Sequence, residues 1–365
     1  MSEWQTFCLK DLGKIVGGAT PPTNNPKNYG NKIAWITPKD LSTLQGRYIK
    51  KGSRSISRLG FKSCSCALLP KHAILFSSRA PIGYVAIAEK RLCTNQGFKS
   101  IIPNKKIYFE FLYYLLKYHK DNISNIGGGT TFKEVSGTTL GLFKVKIPPT
   151  YYEQQKIART LSILDQKIEN NHKINELLHN FAHKVYEYYF KYKPKNAKLE
   201  QIIIENPKSN IMVKNAQKTQ DKYPFFTSGD NTLSYPKAII DGRNCFLNTG
   251  GNAGIKFYVG KASYSTDTWC ICANEFSDYL YLLLSSIKNH INQSFFQGTS
   301  LKHLQKNLLK KYPIYMPSAH EIKKFNQIIM PLLSLISINT RISKRLEQIR
   351  DFLLPLLLKQ QVKPQ

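Results

Sequence analysis

Long uncharged apolar runs are missing from this chain, and no stretch approaches the roughly 18 residues a membrane-spanning helix needs. The start, Met1-Ser2-Glu3-Trp4, carries neither the basic region nor the apolar region of a secretory signal. A soluble, cytoplasmic protein with no membrane partner is therefore expected. Acidic residues are scarce: 23 Asp plus Glu stand against 53 Lys plus Arg, a formal net charge of +30 over 365 residues. So large an excess creates a field that attracts polyanions. Nucleic acid is the leading candidate and an anionic membrane surface the runner-up. The seven cysteines are an odd number, and Cys64-Ser65-Cys66 and Cys270-Ile271-Cys272 lack the C-x2-C spacing of a zinc site. Buried, reduced thiols are the reading favoured over a metal or a disulfide.

Catalytic apparatus is also missing. The string nearest an amino-methyltransferase motif, Ile147-Pro148-Pro149-Thr150-Tyr151, lacks the amide or carboxylate that would accept amino protons, and reads as a helix entry. Gly250-Gly251-Asn252-Ala253-Gly254-Ile255-Lys256 resembles a phosphate loop but has no Gly-Lys-[Ser/Thr]. His179 and His183 have the spacing of two zinc ligands on a helix, yet Asn180 stands where a general-base Glu would be, and two solvated histidines are expected. Glu153, Asp165, Glu169 and Glu176 are explained by a charged outer helix face. No catalytic, cofactor-binding or metal site is expected in this chain.

What the chain does contain is a duplication. Gly129-Thr130-Thr131-Phe132-Lys133 returns as Gly298-Thr299-Ser300-Leu301-Lys302, and Ile147-Pro148 as Met316-Pro317. Each proline precedes a helical pattern holding Asn-x-[Lys/Arg]-Ile, at Asn171–Ile174 and Asn339–Ile342, and with Gly83 matched to Gly254 and Thr94 to Thr266 the offset stays at 168 to 172. That period is far beyond the roughly 20 to 50 residues of a solenoid unit. It implies two whole domains, each followed by its own helix, and the length suits two domains of about 150 residues plus helical elements.

Short β-like runs such as Ile33–Pro38, Ala73–Phe76, Ile202–Ile204 and Asn244–Leu247, with a helix over Phe109–His119, predict mixed α/β domains. In the first long helix a heptad seam runs through Ile157, Leu161, Leu164, Ile168 and Leu178, with Asn171 and Asn175 in it. In the second it runs through Ile328, Leu332, Leu335, Asn339, Ile342, Leu346 and Ile349, with Pro331 expected to kink or restart the first turns. The fold class expected is α+β: two mixed α/β domains separated by two long antiparallel coiled-coil helices, with a pseudo-twofold internal repeat. The boundaries read as 1–148, 149–193, 194–317 and 318–365.

Recognition chemistry gathers in turn strings at equivalent places of the two halves. Arg79, Asn95, Gln96, Lys99, Thr131 and Lys133 in the first, and Asn248, Asn252, Thr266, Thr299 and Lys302 in the second, are candidate DNA contacts. Lysines suit phosphates, and amides and hydroxyls suit base edges. Tight turns whose polar groups satisfy the backbone are the competing reading.

These residues resemble the specificity subunits of type I restriction-modification systems. The marks are Gly129–Ser136, then Val145–Pro149 leading into Glu153-Gln154-Gln155-Lys156-Ile157-Ala158, then Leu164–Ile168 and Asn175–Leu178. The resemblance implies two target-recognition domains, each binding one half of a bipartite site on double-stranded DNA. It implies two partner methyltransferase (modification) subunits, on which S-adenosylmethionine is expected, and restriction subunits with ATP-dependent translocase and nuclease activity. The chain itself would be non-catalytic. An autonomous nuclease or methyltransferase with an unrecognised site, or a basic coiled-coil scaffold for RNA or membrane, are the alternatives.

Overall fold

A computed structural model of the chain describes residues 3–129, 133–216 and 222–364. These fall into two compact units, one made of Met1–Asn170 with Ser343–Gln365 and the other of Asn171–Ile342. The two units repeat one topology. In the first, a sheet orders Gly13–Gly17, Lys99–Pro103, Ile74–Phe76, Val85–Ala88 and Tyr48–Ile49. In the second, Ile204–Glu205, Thr268–Cys272, Arg243–Asn248 and Ile255–Val259 follow the same order, without a fifth strand. A three-stranded sheet accompanies each, with one parallel pairing: Trp35 to Cys93 in the first unit and Phe225 to Ser263 in the second. A two-stranded ribbon closes each domain, Gln5–Cys8 on Lys144–Ile147 and Ala197–Lys198 on Pro313–Ile314.

The strands expected at Ile33–Pro38, Ala73–Phe76 and Asn244–Leu247 appear as Tyr29–Ile36, Ile74–Phe76 and Arg243–Asn248, the first stopping at Ile36 because Thr37 caps a short helix that Pro38 begins. Of Ile202–Ile204 only Ile204 is in a strand, because Leu199–Gln201 forms a 3-10 turn that consumes the preceding residues. The helix predicted to end at His119 continues to Asn125.

Each unit has a domain helix: Phe109–Asn125 in the first, buried from Phe111 to Leu116, and Ser277–Ser286 in the second, buried from Ser277 to Leu284. Each bears an acid at its second position, and that acid takes an arginine, Arg47 directly before the strand Tyr48–Ile49 in the first unit and Arg243 at the start of its strand in the second. In the first unit the Arg47 guanidinium donates to Glu110 at 2.9 Å and to Glu169 of the long helix at 3.2 Å, while the Arg47 backbone N–H donates to Glu169 at 2.9 Å. In the second, Arg243 donates to Asp278 at 2.5 Å and to Ser334 of the other long helix at 2.9 Å, and the Val259 backbone N–H reaches Ser337 at 3.0 Å. One mechanical joint, domain helix to arginine to long helix, is thus built twice with different polar groups.

The long helices, Tyr151–Phe190 and Ala319–Leu358, begin with equivalent caps. The Thr150 hydroxyl accepts the Glu153 N–H at 3.2 Å, and the Ser318 hydroxyl accepts the Glu321 N–H at 3.3 Å. Glu321 completes a capping box by accepting the Ser318 N–H at 3.0 Å, which satisfies end groups that the helix leaves without partners. Ser318, Tyr315 and Lys193 around it hold its carboxyl down at about 2. The Pro148-Pro149 string is the expected helix entry.

Within each unit the long-helix segments pack antiparallel. In the first, Ile157 and Leu161 share a core with Leu354, Leu357 and Leu358, and Arg350 donates to Asp165 at 2.7 Å. In the second, Tyr189 meets Phe325 edge-on at 6.0 Å, and the Asn339 amide donates to Asn175 at 3.0 Å. Along the seam of the first helix Ile157, Leu161 and Ile168 are buried, and Leu164 and Leu178 half-buried. In the second it is shifted by one or two residues. Leu335, Ile342 and Ile349 are 42, 45 and 46 % exposed, Leu332 and Leu346 are half-buried, and Ile322, Phe325, Ile329, Leu333 and Ile336 form the covered face. That face continues through Ser337, Asn339, Ser343 and Arg350, polar residues that an apolar periodicity cannot find.

Three further expectations are corrected. The second helix runs through Pro331 without interruption. The proline is exposed, so the carbonyl it leaves unbonded is open to water, and the packing of Ile329 and Leu333 on either side holds the turn. Asp165 and Glu169 do not lie on an outer face: Asp165 is 4 % exposed and accepts the Tyr114 hydroxyl at 2.6 Å. His179 and His183 are half-buried, with His179 Nδ1 at 3.4 Å from the Tyr281 hydroxyl.

Burial pushes the His119, His179 and His183 pKa values below the usual histidine value. Each is then held neutral where the unfolded chain would take a proton more readily, so the unfolded state binds more protons as pH falls. Stability should therefore decline as pH drops through about 6.5 and below. Thermal unfolding between pH 7.5 and 5.5 measures this, and His179→Gln should flatten the profile. A wild-type profile already flat over that range would contradict the assignment.

Candidate nucleic-acid interface

In each half three loop strings converge at one end of the central sheet, held by the same backbone bonds. In the first unit Ser77 bridges to Phe98, the Ser78 N–H donates to Gly97 at 2.8 Å, and the Val135 N–H donates back to Ser78 at 3.0 Å. In the second, Asn248 pairs with Thr268, the Thr249 N–H donates to Asp267 at 3.3 Å, and the Leu304 N–H donates to Thr249 at 3.0 Å. Ser78 thus corresponds to Thr249, Val135 to Leu304 and Lys99 to Trp269. The duplicated Gly-Thr strings enter through glycines in the left-handed region, Gly129 at φ +118 and Gly298 at φ +142. A Cβ on Gly298 would lie 2.5 Å from the Leu301 carbonyl, so only glycine fits there without backbone movement.

The structure brings most of the sequence-selected residues to these convergences. Lys133 is exposed, Arg79 and Lys99 are half-buried, and the two latter share the Glu134 carboxylate at 3.5 and 3.2 Å. Gln96 is exposed and accepts the Thr20 hydroxyl, while Asn95 is half-buried and uses its side-chain oxygen to accept the Gly97 N–H at 3.0 Å. Thr131 lies outside the described residues. In the second half Asn252, Thr299 and Lys302 are exposed, and Thr266 is half-buried with its N–H donated to Ile211 at 3.0 Å.

Asn248 is the exception. It is 6 % exposed, its amide donates to the Asn252 carbonyl at 3.1 Å, and its oxygen takes Lys256 Nζ at 3.2 Å. Lys256 also donates to the Thr227 and Gly229 carbonyls, at 2.7 and 2.5 Å. Both side chains are committed to loop shape, and neither reaches outward. Burial lowers the Lys256 pKa in keeping with that role.

Sequence reasoning passed over Glu134, Ser228 and Asn292. Ser228 accepts the Thr249 N–H at 3.1 Å and Asn292 accepts the Ala253 N–H at 2.7 Å, so both brace the second half's loops from remote segments. Only Glu134 carried a signal, its position directly after Lys133. Among the described residues no group of His, Cys, Asp and Glu could hold a metal ion.

If Lys133 and Lys302 contact phosphates, Lys133→Ala and Lys302→Ala should each weaken binding to every duplex alike. The slope of log affinity against log salt should fall by about one per contact. A salt titration of DNA binding reads this directly, and an unchanged slope would remove the residue from the interface.

Comparison with known proteins follows the same division. The family model for the type I restriction modification DNA specificity domain matches residues 1–180 and again 195–348. The chain is 33% identical to the type I restriction enzyme MjaIX specificity subunit of Methanocaldococcus jannaschii, over 97% of this chain and 92% of that one. It is 30% identical to the type I restriction enzyme HindI specificity subunit of Haemophilus influenzae, over 46% of this chain and 37% of that one. The crystal structure of the type I restriction-modification S subunit from M. genitalium shares the fold at a TM-score of 0.65, with 17% identity over 97% of this chain and 96% of that one.

Proposed function

Because this chain belongs to the type I restriction modification DNA specificity family, we propose that it reads a bipartite site on double-stranded DNA, one half per domain, as a non-catalytic subunit. The observation that carries the reading is the paired convergence. The same three loop strings meet in both halves by the same backbone bonds, yet hold different side chains. A duplicated docking geometry with divergent contacts is what two different half-sites require, since phosphate contacts position a protein and base contacts specify the sequence.

In this reading residues 1–148 and 194–317 are the two target-recognition domains, and 149–193 and 318–365 are the spacers. Arg79, Gln96, Lys99 and Lys133 in the first half, and Asn252, Thr266, Thr299 and Lys302 in the second, make the DNA contacts. The spacers serve as docking faces for two methyltransferase subunits, which bring S-adenosylmethionine, and restriction subunits join that assembly. What supports a docking face is apolar surface left open on both helices of the second unit: Leu177 and Phe181 on one, Leu335, Ile338 and Ile342 on the other. Exposed apolar side chains repeated at helical spacing are characteristic of partner surfaces. Leu177→Glu should abolish copurification with the methyltransferase subunits and leave folding unchanged, and undiminished copurification would count against this face.

The non-catalytic part of the reading has its own test. The chain alone, incubated with duplex DNA, S-adenosylmethionine and Mg²⁺, is expected to bind DNA and leave it neither methylated nor cleaved. Modification without a partner would favour the autonomous-enzyme alternative.

A further inference from the structure

We infer that Glu134, an acid on the candidate DNA face, is a positioning residue that sets base specificity in the first half by aiming Arg79. This rests on the DNA-reading function proposed above. Its carboxylate takes Arg79 Nη1 at 3.5 Å on one oxygen and Lys99 Nζ at 3.2 Å on the other. All three side chains are partly open, with 38, 34 and 21 % exposure for Arg79, Glu134 and Lys99.

Ion pairs that open contribute little to folding, so stability does not account for an acid placed among the cations of this face. The backbone does fix it there. Glu134 exchanges both backbone hydrogen bonds with Gly128, at 2.9 and 3.1 Å, and its neighbour Val135 donates to Ser78, which precedes Arg79. Both ends of the Arg79–Glu134 pair are therefore set by the same backbone ladder. A guanidinium has five N–H donors, and one is engaged by Glu134. The remaining donors suffice for the two-point contact that an arginine makes with the O6 and N7 edge of guanine, and discrimination there depends on the fork being held at the right angle. The carboxylate also offsets the charge of two cations, which reduces their pull on phosphates of any sequence. Specificity is a difference between right and wrong duplexes, and both effects widen it.

At the corresponding positions the second half carries no such group. Gly250, His303 and Trp269 occupy the places of Arg79, Glu134 and Lys99, as the bridge of Gly250 to His303 and the pairing of Leu247 with Trp269 place them. The Trp269 indole is turned to Glu205 at 2.8 Å, with Lys306 Nζ 5.1 Å from the ring centroid. Any loss caused by a change at Glu134 should therefore be confined to the first half-site.

The test is selection of duplexes from a randomised pool by the full chain, comparing wild type with Glu134→Gln and Arg79→Lys. Wild type must select a sequence for the comparison to begin, and failure at that step defeats the DNA-reading function rather than the role of Glu134. Glu134→Gln is expected to lower discrimination at one base pair of the first half by about tenfold or more. It should leave the second half and the melting temperature unchanged, and hold or raise affinity for non-specific duplex. Arg79→Lys should lose the same base pair. Full discrimination at every first-half position in Glu134→Gln would overturn the inference. So would a loss spread over both halves with a lowered melting temperature, which marks a structural role.

Discussion

Replacing Arg243 by methionine is expected to destabilise the second unit by about 3–5 kcal/mol, the usual cost of removing one partner from a buried ion pair. Asp278 is 1 % exposed, and burial already raises its carboxyl above the usual range even with the guanidinium against it. Without Arg243 the folded-state value must rise further, since the arginine favours the charged form and burial opposes it. A folded carboxyl raised above its unfolded value binds its proton more readily in the folded state. The damage should then lessen as pH falls and be greatest at neutral pH. Urea unfolding of Arg243→Met at pH 7.5 and pH 5 measures both parts. A loss under about 1 kcal/mol, or one independent of pH, would show that the joint of Arg243 to Asp278 and Ser334 contributes little.

The second large effect concerns recognition. Exchanging residues 1–148 for the corresponding region of a relative should replace one half-site and leave the other intact. A lost base contact costs about 1–3 kcal/mol, roughly additively, so a half-site of several base pairs amounts to a preference change of a thousandfold or more. Chimeras assayed against both parental sites report it. A chimera with both halves altered would mean that the two recognition surfaces are not independent.

Much of the architecture could be read from the chain because duplication writes the same information twice. Matched glycines at Gly129 and Gly298, matched prolines and matched helix entries mark the repeat in the sequence itself. The structure adds capping residues at equivalent places of that repeat, Thr150 and Ser318. The second helix seam was misread for a physical reason. Its covered face carries Ser337, Asn339, Ser343 and Arg350, of which Ser337 donates to the Leu333 carbonyl, Asn339 to Asn175 and Arg350 to Asp165, while Leu335, Ile342 and Ile349 stay open on the adjoining face. Apolar spacing reports where hydrophobic side chains recur, and here two faces recur at the same period.

Charges were harder to place. Asp165 and Glu169 read as solvated on spacing alone, because their arginine partners, Arg350 and Arg47, lie 185 and 122 residues away. Asn248 looked like a base reader because an amide in a glycine-rich turn can read adenine or hold the turn, and only its burial decides. Glu134 was missed since a negative charge argues against a polyanion partner until its two cations are seen beside it.

The central claim, one half-site per domain, is tested most directly by sequencing the duplexes that the chain, assembled with its methyltransferase subunits, retains from a fully randomised pool. Two specified blocks separated by an unspecified gap of constant length are predicted. A single contiguous block, or retention without sequence preference at moderate salt, would contradict it.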